Sequence, residues 1–441
     1  MSKMKQTGIP WLPTISESFS TGYVKQYFYV SKDLANEGEP ERVLKLARSG
    51  IVEKDVTTNE GQMAASYANY NKVQVGDLVL NPMDLYSGAN CNVSELNGVI
   101  SPAYSNLRAK KIGTVVPKFY DYYFKTQYWL MAMFAHGKGV SFDNRWTLNN
   151  DTLRAYEIPV VPYETQLRIV EAIHSEEKKI DLLISNIHTQ IEKLKSYKRS
   201  SITEAVTHGL NPNARFVDSG IDYIGKIPHG WTIISIAQLF TYIGGYAFKS
   251  ELFTTEETHN QVLRIGNIKN DNLILDNKQI YVDDACATSA KSAMIYPDDI
   301  LFTMTGTKGK RDYFFTLLVK DEHVRNKNLF INQRVGLFRK KSSKINMGFA
   351  NYVLKEKRIL DFIFLGETGT ANQGNLGIES ISRTKLYIPP IDEQELIVKM
   401  LDEKCSQIDR LIAIKQSKIE KLEQYKKSLI YEYVTGKKEV I

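Results

Sequence analysis

Residues 305–311, TGTKGKR, put three cations, Lys308, Lys310 and Arg311, into four positions just after the apolar run Ile300-Leu301-Phe302. Lysine and arginine hold phosphate oxygens or the guanine edge, Thr305 and Thr307 add hydroxyls, and the two glycines allow a close backbone approach. That is the chemistry of a nucleic-acid contact; the plain alternative is a solvated hairpin tip. The spacing is not GxxxxGK[ST], so a nucleotide-phosphate cradle is not supported. A second polar stretch, TGTANQ at 368–373, offers Asn372 and Gln373, amides suited to adenine. In the first half of the chain the matching stretch, HGKGVSFDNRW at 136–146, offers Lys138, Asn144 and Arg145. Tyr86 and Asn90, in YSGAN, stand where the basic turn stands in the second half. These last two stretches read equally well as ordinary loops.

Catalytic sets are missing. Asn81-Pro82-Met83-Asp84 begins like the Asn-Pro-Pro-Tyr of adenine methyltransferases but lacks the second proline and the aromatic. Asp298-Asp299 has no well-placed Glu-x-Lys to complete a nuclease metal site and reads as a turn entering a strand. The 7 histidines are dispersed, and His208 reads as an exposed helix end. The cysteines, Cys91, Cys286 and Cys405, contain no Cys-x-x-Cys, so neither a zinc site nor a disulfide framework is supported. The aromatic run at 119–129 could be a base-stacking platform, but aromatics at helical spacing more often fill a core.

The elements that must position these loops occur twice. Residues 166–207 recur at 394–435 at one constant offset, which lays Ile408-Asp409 on Ile180-Asp181 and 419–422 (IEKL) on 191–194. The period is about half the chain, far beyond the roughly 20–50 residues of a solenoid repeat. Each copy carries an apolar stripe. In the first it is Ile173, Ile180, Ile184, Ile187, Ile191 and Leu194; in the second Leu401, Ile408, Ile412, Ile419, Leu422, Leu429 and Tyr433. Steps of three, four and seven make a narrow seam, which predicts that the two helices pair with each other as a coiled coil. The globular parts repeat more faintly: Gly8-Ile9-Pro10 resembles Gly220-Ile221-Asp222, VGDLVL at 75–80 resembles PDDILF at 297–302, and FYDYYFK at 119–125 resembles FANYVLK at 349–355. Ile158-Pro159 and Ile388-Pro389-Pro390 break the chain before each helix.

The bulk numbers set wide bounds. A chain of 441 residues is too long for one core. No apolar run reaches the roughly 18 residues of a membrane span. The first residues, MSKMKQTGIPW, hold no apolar signal core, so a cytoplasmic protein with no membrane partner is expected. A net charge of +7 permits a nucleic-acid partner without requiring one. The expected division is 1–157 globular, 158–212 helical, 213–387 globular and 388–441 helical.

The full set of duplicated pieces resembles the specificity subunits of type I restriction-modification systems. The pieces are PYETQ at 162–166 and PIDEQ at 390–394, the two Ile-Asp pairs, the two IEKL…YK segments, GIDYIGKIPHGW at 220–231 and GVISPAY at 98–104. They span essentially the whole chain in the family's order. The resemblance implies an α+β fold: two mixed α/β target recognition domains separated by two long spacer helices that pair as an antiparallel coiled coil, an internal pseudo-two-fold repeat. It implies a protein with no catalysis of its own, which reads a split double-stranded DNA target. Two methyltransferase subunits and restriction subunits with a motor would join it. S-adenosylmethionine, ATP and magnesium would belong to those partners, with no cofactor on this chain. A coiled-coil scaffold without nucleic acid is the competing reading. It leaves two large diverged domains with basic loops unexplained.

Overall fold

The computed structural model describes residues 3–36, 42–47, 49–55, 66–83, 85, 91–139, 146–269, 271–370 and 372–440. The chain divides into two compact units, Met1–Thr189 with Lys415–Ile441, and Gln190–Ile414. The long helices, Tyr163–His208 and Ile391–Val434, each run through both. A unit is therefore a globular part plus a stretch of each helix, a division that cuts through the helices and not at the proline breaks.

Each unit is built on the same four-stranded antiparallel sheet. In the first, the spatial order is Phe28–Val30, Ser105–Ala109, Leu78–Leu80, Cys91–Val93. In the second it is Phe240–Gly244, Val335–Lys340, Ile300–Thr303, Thr316–Leu318. In both, the strand that comes fourth in the chain lies between the first and the second. The Leu78–Leu80 and Ile300–Thr303 strands are buried throughout, which is why they read as unbroken apolar runs.

The turn entering each of these strands holds an aspartate with 2% exposure, Asp77 or Asp299. Asp77 takes a two-pronged pair from Arg108, both contacts 2.7 Å, and Asp299 takes one from Arg339 at 2.9 and 2.7 Å. A buried carboxylate persists only when paired and hydrogen-bonded, and a guanidinium fork supplies both. The Asp298-Asp299 pair is thus the strand-entry turn expected from the sequence, with an arginine added from the neighbouring strand.

The aromatic helix Pro117–Trp129 is core, with Phe119, Tyr120, Tyr123, Phe124 and Tyr128 buried. Its partner Met347–Val353 buries Phe349, Ala350 and Val353. Each lies against a long helix held by a fully buried glutamine from the helix-start motif. Gln166 accepts from Val116 N–H at 2.7 Å and donates to Thr114 and Val161 carbonyls at 3.2 and 2.8 Å. Gln394 accepts from Asn346 N–H at 2.7 Å and donates to Lys344 and Pro389 carbonyls, both at 2.8 Å.

The two long helices pack antiparallel. In the first unit, Ile169, Ile173 and Ile180 share a core with Leu429, Ile430, Tyr433 and Val434. In the second, Ala205 and Val206 share one with Ile397 and Leu401. The expected seam is the buried face: Ile187 and Ile191 of the first helix and Ile408 and Ile419 of the second are also buried. Charges repeat with the seam. Lys426 donates to both oxygens of Asp181 at 3.0 and 2.9 Å, and Lys198 to both of Asp409 at 2.8 and 2.7 Å. Each helix thus gives a lysine and an aspartate to the pairing, and Glu177 of the first adds a second carboxylate 3.5 Å from Lys426. The segment before each helix is a strand and not a bare break: Glu157–Val160 pairs with Ser20–Tyr23, and Lys385–Ile388 with Thr232–Ser235. His208, the last residue of the first helix, is exposed, as expected.

Candidate nucleic-acid interface

In the second unit the two polar stretches that are far apart in sequence form one small sheet. Thr305–Gly306 pairs with Gln373–Leu376, which pairs in turn with Glu367–Thr370. Beyond Gly306 the chain turns over Gly309, whose φ of 76° suits a residue without a side chain. Lys310 N–H closes the turn on Thr307 O at 3.1 Å, and Thr307 N–H donates to Asp312 Oδ1 at 2.7 Å. Hydrogen bonds from Thr307, from its hydroxyl first and then its N–H, hold the Asp312 carboxyl below its ordinary value.

The three cations are not equivalent. All are exposed. Lys308 Nζ donates to Gly369 O at 2.9 Å and ties the turn to the hairpin. Arg311 pairs with Asp361 and lies over the Phe364 ring, 5.6 Å from its centre. Lys357 and Arg311 together hold the Asp361 carboxyl below the usual range. Lys310 has no side-chain hydrogen bond or ion pair among the described residues. Asn372 and Gln373 are exposed at the hairpin tip, and Thr305 and Thr307 are half-buried beneath the turn.

Sequence reading passed over a third segment at this edge. Gly244 pairs with Gly336 and Thr303 with Val335, so the segments after Gly244, before Val335 and after Thr303 leave the sheet at one end. That end carries Asn332, Gln333 and Arg334, with Gln333 and Arg334 exposed. Tyr246 N–H donates to Ile331 O and Gln333 N–H to Tyr246 O, at 2.9 and 3.1 Å. A Cβ on Gly245 would lie 2.0 Å from Asn332 O, so only glycine fits there. The signal available was the run Asn-Gln-Arg, side chains with base-reading geometry, directly after an apolar strand.

The first unit has the same tie between its edge segments. Leu148 N–H donates to Pro82 O at 2.9 Å, as Leu376 N–H donates to Met304 O at 3.2 Å. Lys138 is exposed, and its backbone pairs with Thr147 at 2.8 and 3.0 Å, matching Thr368 with Asn375. Tyr86, Asn90, Asn144 and Arg145 lie outside the described residues. Among the described residues no three His, Cys, Asp or Glu side chains are grouped to hold a metal, and no helix is long and apolar enough to cross a membrane.

Residues 228–424 match the family model described as the type I restriction modification DNA specificity domain. The matched span includes the basic turn, the hairpin and most of the second long helix. The chain is 23% identical to the type I restriction enzyme MjaVIII specificity subunit of Methanocaldococcus jannaschii, over 93% of this chain and 86% of that one. Residues 228–424 thus carry a type I restriction-modification DNA specificity domain, and over nearly its whole length the chain is similar to a specificity subunit. Its fold is that of the solved structures it aligns with. A structure from work on complex assembly and conformational transition of the type I R-M system aligns with a TM-score of 0.69 at 13% identity, covering 95% of this chain and 98% of the other. The HsdS subunit of Thermoanaerobacter tengcongensis aligns with a TM-score of 0.51, also at 13% identity, over 96% and 98%. At that identity the structural likeness speaks for the fold of the specificity subunit alone.

Proposed function

We propose that this chain is a specificity subunit that reads a bipartite double-stranded DNA target, one half with each globular part, and does no chemistry itself. The observation that carries this reading is the duplicated sheet whose one end gathers, in the second unit, the basic turn, the amide-tipped hairpin and Asn332-Gln333-Arg334. Lysines and threonines there suit phosphates, and the amides and arginines suit adenine and guanine edges. The paired helices act as a spacer and as the docking surface for two methyltransferase subunits, with restriction and motor subunits joining them. S-adenosylmethionine, ATP and magnesium belong to those partners in this reading.

The test is reconstitution. The purified chain alone is expected neither to methylate nor to cut DNA. With its methyltransferase partner it is expected to direct S-adenosylmethionine-dependent adenine methylation to a split motif. Exchange of residues 1–157 for the equivalent part of a relative is expected to change one half of that motif only. Methyl transfer by the chain alone, or a change in both halves on exchange, defeats the proposal.

A further inference from the structure

The Glu367 carboxylate lies between the basic turn and the hairpin of the second unit. It accepts from the Tyr313 hydroxyl at 2.8 Å and from Gly309 N–H at 3.2 and 3.1 Å. Burial, then the bond to Glu367, pushes the Tyr313 hydroxyl pKa up, so this donor keeps its proton. Gly374 makes the space: a Cβ there would come within 2.5 Å of Glu367 Oε1 and 2.9 Å of the Tyr313 hydroxyl.

The first unit fills the same gap from the other side. The register that sets Lys138 opposite Thr147 and Thr368 opposite Asn375 puts Gly137 at the place of Glu367 and Trp146 at the place of Gly374. A Cβ on Gly137 would lie 2.4 Å from Trp146 Nε1, which donates instead to Phe134 O at 2.8 Å. Each hairpin therefore has one bulky side chain over one glycine, on opposite strands. Folding such a hairpin needs no acid, because the first unit uses an indole. An acid among Lys308, Lys310 and Arg311 also works against phosphate binding. Its presence there calls for another reason.

We propose that Glu367 is the positioning residue of the second unit's reading surface. It fixes the 307–310 turn against the 367–376 hairpin and thereby sets base preference in one half of the target. This rests on the DNA-reading function proposed above. Glu367 acts through Gly309 and Tyr313 and has no need to touch DNA. Lys308 is the second tie, and Lys310, Asn372 and Gln373 are left exposed on the surface so positioned.

The experiment uses the full chain with its methyltransferase partner, reading the methylated motif across a genome, the salt dependence of binding and the melting temperature. Glu367→Ala is expected to lower discrimination by about tenfold at one or more positions in the half read by the second unit, within the range of a single mismatched pair. The other half and the salt slope stay as in the wild type. Tyr313→Phe is expected to move the same positions by less. Glu367→Gln keeps an acceptor oxygen for Gly309 and Tyr313, and restores the wild-type preference. A folded Glu367→Ala variant with an unchanged motif overturns the proposal. So does equal weakening of both halves, the mark of lost stability, or tighter binding to all DNA with the motif intact, the mark of a removed charge. Where Glu367→Ala does not fold, an unchanged motif with Tyr313→Phe overturns it. A wild-type complex that retains no duplex sinks the DNA-reading function itself, and this inference with it.

Discussion

The two units share a frame and differ where that frame meets the reading edge. Both place a buried aspartate under an arginine fork, both lock a long helix with a buried glutamine, and both give a lysine and an aspartate to the helix pairing. Under the hairpins, glutamate over glycine in one unit answers tryptophan over glycine in the other. A quieter exchange lies on the core helices. In the first unit Asp121 binds Lys118 and Lys125 on its own helix, at 2.7 and 2.8 Å. In the second, Asn351 takes that place, and Asp271, from a separate turn, binds both Lys355 and Asn351. The frame tolerates a change of chemistry, and of charge, where the same space stays filled. That is how two copies of one architecture come to carry different surfaces.

The comparison breaks most visibly at the arginine forks. Arg108→Ala and Arg339→Ala each strand a buried carboxylate, and each is expected to cost about 3–5 kcal/mol. Hydrogen exchange on the full chain should show the loss confined to the unit that carries the substitution. An equal loss in both units would mean that they do not fold as separate cooperative bodies. Next come Gln166→Ala and Gln394→Ala. Each leaves a buried backbone N–H without its acceptor, at about 1–3 kcal/mol, while water entering the vacated space can serve the carbonyls. Denaturant titration of the pair should give similar losses if the two clamps are equivalent.

The basic turn gives a smaller, sharper effect. Lys310→Ala is expected to lower the slope of log K against log salt by roughly one, with no change in melting temperature. Lys308→Ala and Arg311→Ala should also loosen the turn, because both side chains hold folded partners. A salt slope indifferent to Lys310 would remove this turn from the phosphate contacts. The smallest effect belongs to Lys198→Ala and Lys426→Ala. Their pairs are partly exposed, with Asp409 and Asp181 side chains 57% and 58% accessible, so each should cost under about 1 kcal/mol. A loss several times larger from either one in a thermal melt would show that the pairs do more than align the helices.

Much of this was legible from local pattern. The seam from Ile173 to Ile191 and its copy announced paired helices because helical period is written into consecutive residues. The apolar runs at 78–80 and 300–302 announced buried strands, each entered by a turn. The aromatic stretch at 119–129 was rightly assigned to a core. Other features were not legible. Pro159 looked like a break, yet it lies in a strand whose partner is at residues 20–23. Arg339 gave no sign of belonging to Asp299, and Asn332-Gln333-Arg334 looked like any polar loop.

The sequence by itself determined the duplication, the long helices, the buried strands and the kind of side chain available for DNA. All of these depend on residues near one another in the chain, where period, polarity and charge can be read directly. Only the tertiary structure decided that the turn at 305–311 and the hairpin at 367–376 are one surface, and that Lys308 and Arg311 are tied to folded partners. It alone showed that Glu367 and Trp146 fill one gap from opposite strands. The physical reason is that hydrogen bonds and steric fit act between atoms a few ångströms apart. Chain folding brings such atoms together from positions some 60 residues distant, as with Gly309 and Glu367 at |i−j| = 58, and no local pattern records the meeting.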